Sequence, residues 1–142
     1  MRRTPLFDTA ESVEEAYYDA MQRADLEAMM ALWSTEDEVF CVHPGSVRLA
    51  GLDAIRASWE AIFSGSGLIV RVRDVAVQNS GVVSVHSLIE QITVTSQRGS
   101  QVVECVATNV YAKTAAGWRI TVHHSSPAAQ AEASVPAGAV LH

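Results

Sequence analysis

The sequence predicts an α+β domain in which helices cover one face of a bent sheet. Three observations predict it. Apolar residues recur at three- and four-residue steps through the first part of the chain, as on one face of a helix. From Leu68 onward the pattern changes to long extended runs separated by short turn signals. The change happens once, helices first and strands after, which is the order of an α+β domain and not of alternating βα units.

The first helix is expected from Ser12-Val-Glu-Glu15, which has the form of a capping box, with Val13, Ala16, Tyr17, Ala20, Met21 and Ala24 on one stripe. Asp25 is the expected N-cap of a second, shorter helix carrying Leu26, Met29, Met30 and Trp33. A third helix follows Gly51, with Asp53 as cap and Ile55, Trp59, Ile62 and Phe63 facing inward; the Ser-Gly-Ser-Gly run 64–67 ends it. Between the second and third helices lie two short extended pieces, Val39–Val42 and Val47–Ala50, joined by His43-Pro-Gly-Ser46. Pro44 fixes its own φ and pushes His43 toward extended geometry, so an imidazole is held at the end of an apolar strand. The second half reads as strands Leu68–Gln78, Val82–Thr95, Gln101–Lys113 and Trp118–Ser125. Several carry apolar residues on both faces, so both faces are expected to be covered, one by the helices and one by a second copy of the chain. From Pro127 the composition turns to Ala, Pro and Ser without period. Residues 1–126 are therefore read as one domain and 127–142 as a tail, either flexible or an arm on a partner.

Composition narrows the function. A chain of 142 residues with 49% hydrophobic and 18% charged residues builds one well-cored domain. Its net charge of -6, with no Lys/Arg cluster beyond a pair, argues against nucleic acid or an anionic membrane as partner. No run approaches the roughly 20 apolar residues of a spanning helix. Arg2-Arg3 is followed by polar and acidic residues, unlike an export signal, and a cytoplasmic protein is expected. Cys41 and Cys105 sit singly in apolar runs, which fits buried thiols better than zinc or redox chemistry. The five histidines lack close-spaced ligand pairs, and neighbours His123 and His124 cannot both enter one cavity. We expect no metal and no cofactor.

Several motifs in order carry a resemblance: Ala24-Asp-Leu-Glu27, Ala31-Leu-Trp33, the His-Pro-Gly turn, Gly51-Leu-Asp-Ala-Ile55, and Gly117-Trp-Arg-Ile-Thr-Val-His-His-Ser-Ser126. Together they resemble the nuclear-transport-factor-2-like superfamily, which includes ketosteroid isomerases, SnoaL-type polyketide cyclases and the association domain of calmodulin-dependent kinase II. The resemblance implies a cone-shaped barrel of a strongly curved antiparallel sheet, with the three helices on its concave face, paired through the sheet as a homodimer. By comparison with the isomerases, Tyr17 falls at their oxyanion-stabilising tyrosine, His43 near their general-base aspartate, and Asn109 at their protonated aspartic acid. By comparison with the kinase association domain, His124 would face the cavity, while that domain's pocket arginine has no counterpart at Ser87, Leu88 or Ile89.

Two functions follow. In one, His43 acts as base on a small hydrophobic carbonyl compound while Tyr17 and Asn109 hold the developing enolate, as an isomerase, cyclase or dehydratase requires. In the other, the same residues lend polarity to a non-catalytic ligand-binding or self-association domain. Trp33, Phe40, Trp59, Tyr111, Trp118 and His124 are the expected pocket lining. The first function requires Tyr17, His43 and Asn109 to converge on one cavity; the second predicts polar atoms already paired with one another.

Overall fold

A computed structural model describes residues 6–65 and 68–129. It contains three helices, α1 (Ala10–Arg23), α2 (Leu26–Met30) and α3 (Leu52–Phe63), and six strands: β1 (Phe40–Val42), β2 (Arg48–Ala50), β3 (Leu68–Asn79), β4 (Val83–Ser96), β5 (Gly99–Thr114) and β6 (Gly117–Pro127). The strands form one sheet in the order β2-β1-β6-β5-β4-β3. All neighbours are antiparallel except β1 and β6, which run parallel. The sheet curls around helices of the N-terminal half, as the sequence predicts. Most of the tail, residues 130–142, lies outside the described residues.

Two expected caps are corrected. Helix α1 begins before Ser12: Thr9 is its N-cap, and the Thr9 hydroxyl accepts the Ser12 backbone N–H at 3.0 Å. A residue whose own amide is served by an upstream hydroxyl is inside the first turn, so Ser12 cannot be the cap. Helix α3 is capped by Gly51 at φ 89°, without a side-chain bond, and Asp53 stands in its first turn. Asp25 caps α2 as expected, accepting from Ala28 N at 3.0 Å.

The core lies between α1, α3 and the inward face of the sheet. Val13, Tyr17, Met21, Trp33, Ile55, Trp59, Leu88, Tyr111 and Ile120 are all buried in it. On β4 the inward set is Ser84, His86, Leu88 and Glu90; on β5 it is Cys105, Ala107, Asn109 and Tyr111. Strand β6 does not keep one alternation. Its register against β5 shifts between Val110 and Tyr111, which pair with Val122 and Ile120 and leave Thr121 as the extra residue. Such a bulge reverses which side chains face in. Trp118 and Ile120 are buried before it, and His123 and Ser125 after it. A second tie closes the barrel: Gly117, at φ 96°, lies so near Phe7 that an added Cβ would stand 2.8 Å from the Phe7 carbonyl oxygen, and Trp118 N donates to that oxygen at 2.9 Å. Only glycine serves there.

Candidate functional site

The interior of the curled sheet divides into an open part and a filled part. The open part is a cavity of about 250 Å³ walled by Met21, Trp59, Ile62, Leu68, Ile92, Val94 and Val103, with His43, Glu90 and Cys105 as its titratable groups and the Trp59 indole N–H, unpartnered among the described residues, as a further donor. Strand β1 delivers His43 to it, and α3 delivers Trp59. The two rings meet edge to face with centres 4.8 Å apart.

His43 is held by α3 and not by its own turn. Its Nε2 lies 2.9 Å from Ser58 Oγ, and Ser58 gives its own proton to the Ile55 carbonyl at 2.7 Å. The imidazole is therefore the Nε2–H donor in this pair, and Nδ1 carries the lone pair. Burial, and secondarily His123, lower its pKa to about 4, so it is neutral at physiological pH. Glu90 comes from β4 and is only 2% exposed. Its Oε1 accepts from Ser125 Oγ and its Oε2 from Tyr18 Oη, each at 2.6 Å. Burial raises the Glu90 pKa, and these two donors pull against that rise.

The filled part lies under α1. Glu14, one helical turn before Tyr18, points inward from an otherwise apolar stripe. Its Oε2 accepts from His86 Nδ1 at 2.9 Å and its Oε1 from Tyr111 Oη at 2.8 Å. Asn109 reaches the same Oε1 at 3.4 Å and donates to Tyr18 Oη at 3.0 Å, while its Oδ1 accepts from His123 Nδ1 at 2.6 Å. Each polar group there has a partner, as burial demands.

The sequence-predicted site residues are thus brought near one another but not onto one cavity. His43 and Trp59 line the open pocket. Asn109 is committed to Glu14, Tyr18 and His123. Tyr17 is wholly buried and packs edge to face on Trp59, with centres 5.9 Å apart; its hydroxyl has no hydrogen-bond partner among the described residues. Burial raises that phenol well above its ordinary value, so it stays protonated. Between Tyr17 and His43 stands His123, 5.2 Å and 6.3 Å from them by ring centre, with burial lowering its pKa to about 3. Five of the residues expected to line the pocket stand elsewhere. His124 is exposed because the bulge turns His123 inward in its place. Phe40 faces another hollow, beside Ser34 and Ala50, with the Arg48 guanidinium 5.6 Å from its ring centre. Tyr111 belongs to the Glu14 network, and Trp118 packs at the Phe7 end. Trp33 is buried core, 6.4 Å from the Tyr17 ring.

Sequence reasoning puts Glu90 and His86 on one face of their strand without saying which face is inward, and it missed Glu14, Tyr18, Ser125 and His123 as the polar framework. A signal existed for Glu14, a carboxylate set among apolar residues at the period of its helix. Among the described residues no three His, Cys, Asp or Glu side chains gather to hold a metal ion, and no helix is long and apolar enough to cross a membrane. A second hollow of about 460 Å³ between α1 and β3 has buried Glu14, Tyr18 and Val70 at its floor and Glu11, Glu15 and Asp19 around it. Glu11, Glu15 and Asp19 are exposed, so the hollow is open to solvent on that side.

A model of the SnoaL-like domain family matches residues 10–130. Among solved structures, a protein of Thiobacillus denitrificans provisionally assigned as a calcium/calmodulin-dependent protein kinase type II association domain is 32% identical, with a TM-score of 0.78 over 88% of this chain and 99% of that one. A provisionally assigned dehydratase of the NTF2-like family from Streptomyces avermitilis is 29% identical, with a TM-score of 0.80 over 84% of this chain and 93% of that one. An NTF2-like superfamily protein of Salmonella enterica is 19% identical, with a TM-score of 0.75 over 87% and 91%, a likeness of fold alone. A search of the curated proteins finds no match.

Proposed function

Since the chain belongs to the SnoaL-like domain family, within the NTF2-like superfamily, we propose that it binds a small, mainly apolar molecule in the pocket bounded by Trp59, His43 and Glu90. One observation carries this reading: the interior of the cone holds a hydrocarbon-walled cavity of about 250 Å³ beside two titratable groups, the general character of a ligand site. The polar residues nearby are largely paired with one another, which favours binding over the enolate chemistry that Tyr17 and Asn109 would serve. The test is ligand-observed NMR with a library of small apolar compounds, run on the parent protein and on Trp59→Leu and His43→Ala. Binders that perturb the Trp59 indole resonance and weaken in both variants support the reading. Binders that ignore both substitutions place the site elsewhere and refute it.

A second reading, proton transfer inside the same pocket, is favoured by the state of His43. Its Nε2–H is engaged by Ser58 and its lowered pKa keeps it unprotonated, so Nδ1 is free to accept a proton. The dehydratase assignment of the Streptomyces relative is in keeping with such a role. Deuterium exchange at the carbon beside a small ketone's carbonyl, lost in His43→Ala, supports it; exchange at the solvent rate removes it.

Self-association accompanies either reading. The outer face of the sheet exposes Val83, Val102 and Val106, and the Thiobacillus relative carries the name of an association domain. A homodimer through that face predicts that Val102→Asp with Val106→Asp halves the mass in sedimentation equilibrium.

A further inference from the structure

The pocket has a polarity, and it is set by which groups there give protons and which receive them. Tyr18 accepts from Asn109 Nδ2, so its own O–H is the bond directed at Glu90 Oε2; its raised pKa keeps that proton in place. Ser125 likewise donates to Oε1. Both carboxyl oxygens thus receive a proton donor, which favours the carboxylate against the rise that burial imposes, and each keeps a further lone pair. No cation answers it: among the described residues Glu90 enters no ion pair, and the carboxylates paired with guanidinium groups are Asp19, Asp25, Glu27, Asp74 and Glu104. The neighbouring imidazole does not supply the charge, because His43 is neutral and has given its only N–H to Ser58. The Cys105 thiol is held protonated by burial and is a weak donor at most. Apart from the Trp59 indole N–H, which has no hydrogen-bond partner among the described residues, hydrocarbon makes up the remainder of the wall.

A buried carboxylate without a cation, at the edge of an apolar cavity, is an arrangement proteins complete with a counter-charge. Glu90 receives protons, and on His43, with its Nε2–H on Ser58, the one ring nitrogen left can only receive one too. A ketone or carboxylate placed on Glu90 would set acceptor against acceptor. An ammonium presents three N–H donors and one positive charge.

We infer that the pocket selects small primary amines, the ammonium seated on Glu90 with an N–H toward His43 Nδ1 and the hydrocarbon body lying against Trp59, Ile62 and Leu68. The inference rests on the pocket-binding reading above and names its ligand chemistry. It also turns the expectation of a carbonyl ligand around, because the donors that would hold a carbonyl oxygen, Tyr17 and Asn109, are not part of this wall.

The test uses four compounds on one frame: cyclohexylmethylamine, cyclohexylmethanol, cyclohexyl methyl ketone and cyclohexanecarboxylate, titrated at pH 7 by calorimetry, with the Trp59 indole resonance reporting the site. The amine is expected to bind at least tenfold more tightly than the alcohol, and the ketone and carboxylate more weakly still. Glu90→Gln is expected to cost the amine at least tenfold while leaving the alcohol within about threefold. Because Gln sets an amide N–H against Tyr18 or Ser125, the parent protein supplies an independent readout: the Glu90 carboxyl carbon, observed by carbon-13 NMR, must shift with the amine and not with the ketone. A ketone or carboxylate equal to the amine, an amine preference surviving in Glu90→Gln, or a silent Glu90 carbon would overturn the ammonium site and leave the pocket standing. Failure of all four compounds to perturb Trp59 would overturn the pocket itself and this inference with it.

Discussion

Two regions share the inward face of one sheet and differ in what burial has done to them. Beneath α1, Glu14, His86, Asn109 and Tyr111 lie in a packed, mutually bonded cluster. Toward the far ends of β4 and β5, beyond Leu88 and Ala107, the same face borders a hollow, and Glu90 and His43 stand at its edge with bonding capacity left. Tyr18 is the shared wall, bonded to Asn109 on one side and to Glu90 on the other. The difference teaches where function resides: polar residues with every partner satisfied specify the fold, and those with capacity to spare are the ones a ligand can use.

The largest expected effect breaks the filled region. Glu14→Ala removes the acceptor of His86 and Tyr111 together, and is expected to cost about 3 to 5 kcal/mol in urea denaturation. A cost under about 1 kcal/mol would mean the cluster is not closed as described. Next comes an equal truncation in each region. Leu88, 1% exposed, is close-packed, so Leu88→Ala should cost about 2 to 5 kcal/mol. Ile92 already borders the hollow, so Ile92→Ala should cost about half as much, its side chain having fewer contacts to lose. Equal costs would erase the contrast between the regions.

Acid titration sharpens it further. His43 and His123 have folded-state pKa values lowered to about 4 and about 3 from 6.5. The unfolded chain thus binds their protons more readily. Their contribution is fully present above about pH 6.5 and is lost as pH falls toward 4 and then 3. Glu90, raised, acts in the opposite sense, its folded form taking up a proton earlier than the unfolded one. The net proton uptake on unfolding between pH 6 and 4.5 should fall by close to one proton in His43→Asn, measured from stability against pH. An unchanged slope would show that His43 is not desolvated. The smallest effect is a control on orientation: His124→Ala should change stability by no more than about 0.5 kcal/mol, as exposed positions do, whereas His123→Ala strips Asn109 Oδ1 of its donor and should cost about 2 kcal/mol.

How much of this was legible varies along the chain. The three helices and four long strands follow from periods of 3.6 and 2, which are local and repeat many times, so errors cancel over an element. The helix starts were less legible, because Ser12 and Asp53 are good caps by residue type, and only backbone geometry decides that Thr9 and Gly51 hold those places. His43 was legible as an imidazole pinned at a strand end by Pro44. Glu90 was not, since β4 is apolar on both faces: Val83, Val85 and Ile89 alternate with Leu88 and Ile92, and either face could have been the inner one. Counting alternate residues from Trp118 puts His124 inside, and one extra residue at Thr121 reverses the answer.

By itself the sequence determined the class of fold, the order of its elements, the turn that presents His43 and the apolar character of the interior, because each depends on residues close together in the chain. Which polar side chains end up bonded to one another, which carboxylate borders the hollow and which histidine faces in were decided only by tertiary structure. The reason is physical: hydrogen-bond satisfaction joins groups such as Tyr18 and Glu90, 72 residues apart, and a single bulge shifts every contact beyond it.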